Sequence, residues 1–223
     1  MAIILNIETA TTNCSVSISK EDKVLSLKEI NDNGYTHAEN LHVFIEEALK
    51  DASLLFSDID AIAVSKGPGS YTGLRIGVSA AKGLCYALQK PLISIPTLSI
   101  LASQIVAEEG FVIPLLDARR MEVYSAVFKA GEQCRDTEAE IITETSFSEF
   151  LSKGKVNFIG DGAEKCKDVI VHENAIFPDT VAYPSAEEMA VLAFTKYKKG
   201  DFEDVAYFEP YYLKDFVTTK PKN

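Results

Sequence analysis

Residues 65–77 read Ser-Lys-Gly-Pro-Gly-Ser-Tyr-Thr-Gly-Leu-Arg-Ile-Gly, and residues 78–89 continue Val-Ser-Ala-Ala-Lys-Gly-Leu-Cys-Tyr-Ala-Leu-Gln. The apolar run Ala61 to Ser65 ahead of them has strand character, so the glycine turn stands where a buried strand hands over to a helix. Pro68 lies between Gly67 and Gly69, which can take positive φ or let another backbone come close, and Thr72 is placed to cap the helix. Glycine-rich turns at helix N-termini aim N–H groups at anions. Neither common spacing is met, however. Gly67 to Gly73 is one residue too long for a P-loop and is followed by Leu74 and Arg75. Three residues separate Gly69 from Gly73, where a dinucleotide fingerprint has two.

The helix that follows is nearly all apolar or small. Its polar exceptions, Arg75, Ser79, Lys82, Tyr86 and Gln89, step by four, three, four and three and form one narrow stripe. A helix with so little polar surface must be covered over most of its circumference. Gly69, Gly73 and Gly77 fall four apart and leave a shallow ridge that admits a second backbone. Two readings stay open: packing within the chain, or a partner helix.

The run from Gly67 through Gly77, with Ala80-Ala81-Lys82-Gly83-Leu84, resembles the signature of the TsaB (YeaZ) family of tRNA threonylcarbamoyladenosine biosynthesis proteins. Ile4-Leu5-Asn6-Ile7-Glu8-Thr9, His37-Ala38-Glu39-Asn40-Leu41, the stretch from Leu116 to Tyr124 and Pro210-Tyr211-Tyr212-Leu213-Lys214 agree with it, so the likeness spans almost the whole chain. The resemblance implies a non-catalytic platform in the cytoplasm. It would pair with TsaD and, with the ATPase TsaE, help to transfer a threonylcarbamoyl group to N6 of the adenosine next to the anticodon. It implies a four-helix contact with TsaD through His37, Asn40 and Phe44 of one helix and Gly69, Tyr71, Gly73, Arg75, Ile76, Gly77, Ala80 and Leu84 of the glycine turn and its helix. It leaves room for a homodimer when TsaD is missing. It assigns no catalytic, cofactor or metal residue, and tRNA would be reached only through the complex.

The rest of the composition is compatible with this. The 223 residues are 47% apolar, enough for a sizeable core. Thirty-three acidic against 22 basic residues give a net charge of −11, which repels a phosphate backbone, so nucleic acid is not expected as a partner of the chain by itself. No apolar run approaches the ~20 residues of a membrane span, and Met1-Ala2-Ile3-Ile4 lacks a basic segment of the kind that opens an export signal. Cys14, Cys85, Cys134 and Cys166 are far apart, without a Cys-x-x-Cys pair, and read as reduced thiols.

Ile3 to Ile7, Cys14 to Ser19 and Lys23 to Ile30 read as strands whose short connections make an antiparallel meander. Thr36 and Glu39 have capping-box spacing ahead of an apolar stripe of Leu41, Phe44, Ile45, Ala48 and Leu49. A strand at Ala61, the apolar helix, a strand at Leu92 to Ile95 and a helix from Thr97 complete a β-β-β-α-β-α-β-α half. The second half repeats the plan in reduced form. It has strands at Phe111 to Leu116, Glu122 to Phe128 and Cys134 to Thr143, a short helix capped by Ser146 and Glu149, and a strand at Val156 to Ile159. A helix opened by Ser185 and Glu188 follows, with Met189, Leu192 and Ala193 inward and Gly200 as its stop. The tail from Thr218 to Asn223 is expected to fray. Two such halves, each led by a strand ending near an acidic residue (Glu8, Asp117), predict an α/β fold of two lobes: the duplicated actin-like (ASKHA, ribonuclease-H-like) fold with mixed sheets, residues 1–109 and 110–223.

In that superfamily, carboxylates at strand ends orient a metal and a water around a nucleotide. Glu8 and Asp117 stand in those places, but Glu8 replaces the usual Asp and the loop Thr9 to Asn13 has no glycine through which phosphate could reach the backbone. The resemblance implies that TsaD holds its metal by two histidines one helical turn apart. Here His37 and His42 are five residues apart, about 140° around a helix, and cannot share one ion. His172 is isolated. An ATP-dependent phosphotransferase of the sugar-kinase type is the alternative function, and a metallopeptidase a third.

Overall fold

The computed structural model describes residues 1–31, 36–105, 107, 109–179 and 183–214. The expected frayed tail from Thr218 lies outside them. In the first half, β1 (Ile3–Glu8), β2 (Asn13–Lys20) and β3 (Lys23–Asn31) form the meander, followed by α1 (His37–Asp51), β4 (Ala61–Gly67), α2 (Tyr71–Leu88), β5 (Leu92–Pro96) and α3 (Thr97–Ala102). The second half comprises β6 (Phe111–Asp117), β7 (Glu122–Lys129), β8 (Glu132–Ile141), α4 (Ser148–Leu151), β9 (Val156–Ile159), β10 (Ala175–Ile176) and α5 (Ala186–Lys199).

The sheets are ordered β3-β2-β1-β4-β5 and β8-β7-β6-β9-β10, the same arrangement twice. In each, an antiparallel meander is extended by parallel strands on the far side of its first strand: β1 pairs antiparallel with β2 and parallel with β4, and β6 does the same with β7 and β9. This is the duplicated actin-like, ribonuclease-H-like fold.

β1 is buried on both faces. Leu5 and Ile7 join the core under α1 and α2, with Leu41, Ile45, Val78 and Cys85, while Ile4 joins the core under α5, with Met189 and Ala193. A run of buried residues on both faces is why β1 shows no alternation. The α5 side carries a polar seam. Ser15 Oγ accepts from Ala186 N, and Ser17 Oγ donates to Ala186 O, both at 2.7 Å, so the serines of β2 satisfy the backbone at the start of α5. Ser185 caps this helix, its Oγ accepting from Glu187 N, and Gly200 ends it at φ 67°.

Three local expectations change. Thr36 does not cap α1 with its side chain, which instead accepts from Asn40 Nδ2 at 2.7 Å. The cap of α2 is Ser70, whose Oγ accepts from Gly73 N, not Thr72. α4 is a single turn behind Phe147 at φ 60°, with no side-chain cap, because Ser146 Oγ accepts from Thr143 N instead. A larger departure concerns the lobes: α5 packs against β1, β2 and β5, and residues 203–211 pair with Leu92 and Lys66 of the first half. The end of the chain therefore lies largely against the first half, while Lys214 reaches Glu122 of β7 in the second sheet.

Candidate partner-binding surface

α2 is the element on which the candidate surface depends, and its circumference divides into three parts. The first lies against the chain itself. A Cβ at Gly69 would meet the Ala10 backbone and, at 2.8 Å, the Ala10 side chain; one at Gly73 would overlap the carbonyl of Thr9, and one at Gly77 the Thr9 hydroxyl. Ser70 N donates to Ala10 O at 2.6 Å and Thr9 Oγ1 to Gly73 O at 2.8 Å, locking the loop after β1 beneath the helix. The glycine ridge does admit a second backbone, but it is that of residues 9–10. This corrects the expectation that Gly69, Gly73 and Gly77 open the helix to a neighbouring protein.

His37 is corrected in the same way. It is 1% exposed, and its Nε2 donates to the carbonyl of Thr11 at 2.8 Å, so it clamps this loop from α1 and offers nothing to a partner.

The second part of α2 carries the C-terminal segment. Lys82 Nζ donates to the carbonyls of Ala206 and Phe208, at 3.3 and 2.8 Å, and Val205 and Phe208 pack on the core beneath. Tyr211 N donates to Lys66 O at 2.7 Å, and the Tyr71 and Tyr212 rings lie 4.7 Å apart with the Arg75 guanidinium 5.3 Å from the Tyr71 ring. Tyr71 and Arg75, both expected at a partner surface, are thus engaged with each other and with this segment.

The third part is open. Ile76, Ala80 and Leu84 are half-buried at the edge of the core and line a groove of about 380 Å³ with His42, Ser79 and Gly83. A Cβ at Gly83 would meet nothing within 4 Å. On α1, His42 lines the groove, whereas half-buried Phe44 and Asn40 stand about 160° around the helix from it, on the flank that meets β3, and Val43 is 49% exposed. Of the residues expected at the surface, the groove therefore gathers Ile76, Ala80 and Leu84. It adds His42 and Gly83. Gly83 was legible as the position seven after Ile76 on the same helical face.

The acidic strand ends are turned inward or spent. Glu8 is fully buried; its Oε1 accepts from Ala10 N at 2.6 Å and Ser65 Oγ at 3.0 Å, and desolvation, which these bonds only partly offset, pushes its pKa up to about 7. Asp117 is exposed, pairs with Lys165 and accepts from Arg119 N at 2.9 Å. Asp161, whose carboxylate accepts from Asp117 N, is raised by burial to about 6. Among the described residues no three His, Cys, Asp or Glu side chains converge on a point where a metal could sit.

Across 97% of the chain and 96% of its own length, the tRNA threonylcarbamoyladenosine biosynthesis protein TsaB of Escherichia coli strain K12 is 30% identical. The chain belongs to the TsaB family. A solved structure of YeaZ from Pseudomonas aeruginosa superposes with a TM-score of 0.81 at 27% identity, over 96% of this chain and all of the other. The family model "TsaD: tRNA N6-adenosine threonylcarbamoyltransferase" also matches, over residues 31–222. The two findings differ on which member of a shared ancestry the chain is. The TsaB relative and the YeaZ structure each match over nearly the full length of both chains, and that decides for TsaB.

TsaB proteins are non-catalytic partners of TsaD. The inorganic polyphosphate/ATP-glucomannokinase of Arthrobacter sp. strain KM is 10% identical at a TM-score of 0.52, covering 87% of this chain and 99% of that one, a likeness of fold alone. In the TsaB-family chain the loop after β1 gives Ala10 N to Glu8, while its Ala10 and Thr11 carbonyls accept from Ser70 N and His37. Asp117→Ala should accordingly leave tRNA modification by the assembled complex within a few-fold of wild type; a thousandfold loss with assembly intact would place catalysis on this chain.

Proposed function

We propose that this chain docks TsaD on the open face of α1 and α2, and acts there as the non-catalytic platform of threonylcarbamoyladenosine formation. TsaE joins the same assembly, tRNA is reached through the complex, and the setting is the cytoplasm. No helix among the described residues is long and apolar enough to cross a membrane, which is compatible with that setting. When TsaD is absent, a second copy of the chain would use the same face.

The observation that carries this reading is the uncovered groove between Leu84 and His42. The sheet, the loop after β1 and the C-terminal segment cover much of the rest of α2. On this side half-buried apolar side chains stand beside a helical glycine with nothing over it. A neighbouring helix can approach closely where a Cβ is missing, which suits a four-helix contact.

The test is Gly83→Leu. No described residue lies within 4 Å of a Cβ at this exposed position, and leaving glycine in a helix interior recovers about 1 kcal/mol of propensity, so the melting midpoint should hold or rise. Calorimetric titration with TsaD should show affinity reduced tenfold or more. Unchanged affinity would remove this face from the interface.

A further inference from the structure

At the tip of the β6–β7 hairpin, Arg119 and Arg120 have φ of 71° and 53°. Two successive left-handed residues are normally supplied by Asn-Gly, because any larger side chain there costs energy. The turn is nevertheless held firmly. Ala118 N donates to Glu122 O at 3.1 Å and Glu122 N to Arg119 O at 3.2 Å. From beneath, Lys165 Nζ donates to the carbonyls of Arg120 and Glu122, at 2.9 and 2.6 Å, and pairs with Asp117. Conformations of this kind persist where the surroundings over-determine them, and they cluster at sites of function.

The side chains so presented are exposed and make no hydrogen bond or ion pair with any described residue. The acids that could neutralise them are taken: Asp117 by Lys165, Glu122 by Lys214, and Asp161 by the Asp117 backbone N–H. Lys214 links this turn to Tyr212, two residues before it. There the Tyr71 and Tyr212 rings lie 4.7 Å apart, tilted by 33°, with Arg75 over Tyr71. Exposed arginine side chains with no hydrogen-bond or ion-pair partner among the described residues, fixed on a firmly held turn, match the chemistry of a nucleic-acid phosphate backbone.

We infer that the Arg119–Arg120 turn is the contact of this chain with the phosphodiester backbone of tRNA in the assembled complex. This rests on the platform reading: at a net charge of −11 the chain alone would not gather RNA, whereas two aimed guanidinia can add contacts once a partner holds it.

The experiment compares wild type with Arg119→Asn/Arg120→Asn and Arg119→Lys/Arg120→Lys, each first titrated with TsaD and then, as the complex, with tRNA over a range of salt concentrations. Asn accepts left-handed φ, so the first variant keeps the turn, and its melting midpoint should hold or rise. Its TsaD affinity should be unchanged. Its tRNA affinity should fall about tenfold, with the slope of log affinity against log salt reduced by roughly two. The Lys variant should keep the wild-type slope. An unchanged tRNA affinity and slope in the Asn variant would overturn the inference, and so would loss of TsaD binding, which would make the turn a protein contact. Failure of the wild-type chain to bind TsaD would overturn the platform reading and this inference together, and is told apart at the first titration.

Discussion

Gly77→Leu is expected to lower the melting midpoint by on the order of 10 °C or to prevent folding outright. The Cβ alone would overlap the Thr9 hydroxyl, which is bonded to Gly73 O one turn earlier in the same helix. Leucine must therefore push α2 off the loop after β1. That breaks this bond, strains the one from Ser70 N to Ala10 O and disturbs His37, which holds the same loop from the other side. Overpacking costs typically ~1–3 kcal/mol where side chains can yield. Here a bonded hydroxyl beside the backbone is in the way, and each kcal/mol moves the midpoint of a domain this size by about 2–4 °C. The same substitution at Gly83 has no such neighbour. Two glycines six residues apart on one helix should thus separate folding from binding. A Gly77→Leu protein that melts like wild type and fails only to bind TsaD would return Gly77 to the interface.

Glu8→Gln should make the protein more stable than wild type at pH 8, by roughly 3 kcal/mol, with the two converging towards pH 4.5. Burial raises the folded-state pKa of Glu8 to about 7 from its ordinary 4.5. Between those values the folded protein keeps a proton that the unfolded chain has released, so the stabilisation is complete below pH 4.5 and is lost as pH rises through 7. A tenfold change in proton affinity corresponds to about 1.4 kcal/mol. Gln imitates the protonated carboxyl: its Oε1 still accepts from Ala10 N and Ser65 Oγ. Glu188, on α5 and itself raised by burial to about 7, acts on Glu8 and titrates in the same direction, as does Asp161, so a shallower slope of the same sign should remain. Urea midpoints between pH 4.5 and 8.5 are the measurement. A variant less stable than wild type at pH 8 would mean that Glu8 is held ionised in the fold.

The sequence by itself determined the order of the elements, their repetition in two halves, and the family. Periodicity separates β1 from α1 locally, Ser185 and Gly200 mark the ends of α5, and a five-residue spacing on one helix puts His37 and His42 about 140° apart. All of these are short-range facts. What sequence could not settle was which partner each surface meets. A glycine every four residues says that a backbone comes close, not whose, and only the return of Thr9–Ala10 under α2 identifies it as the chain's own. The apolar stripe of α5 would suit either sheet. Its placement was decided by Ser15 and Ser17, some 170 residues away, bonding the backbone of Ala186. His37 and Gly83 exchanged roles for the same reason. Local spacing puts a residue on a face of its helix, but burial of that face depends on contacts distant in the chain, and those exist only once the tertiary structure has formed.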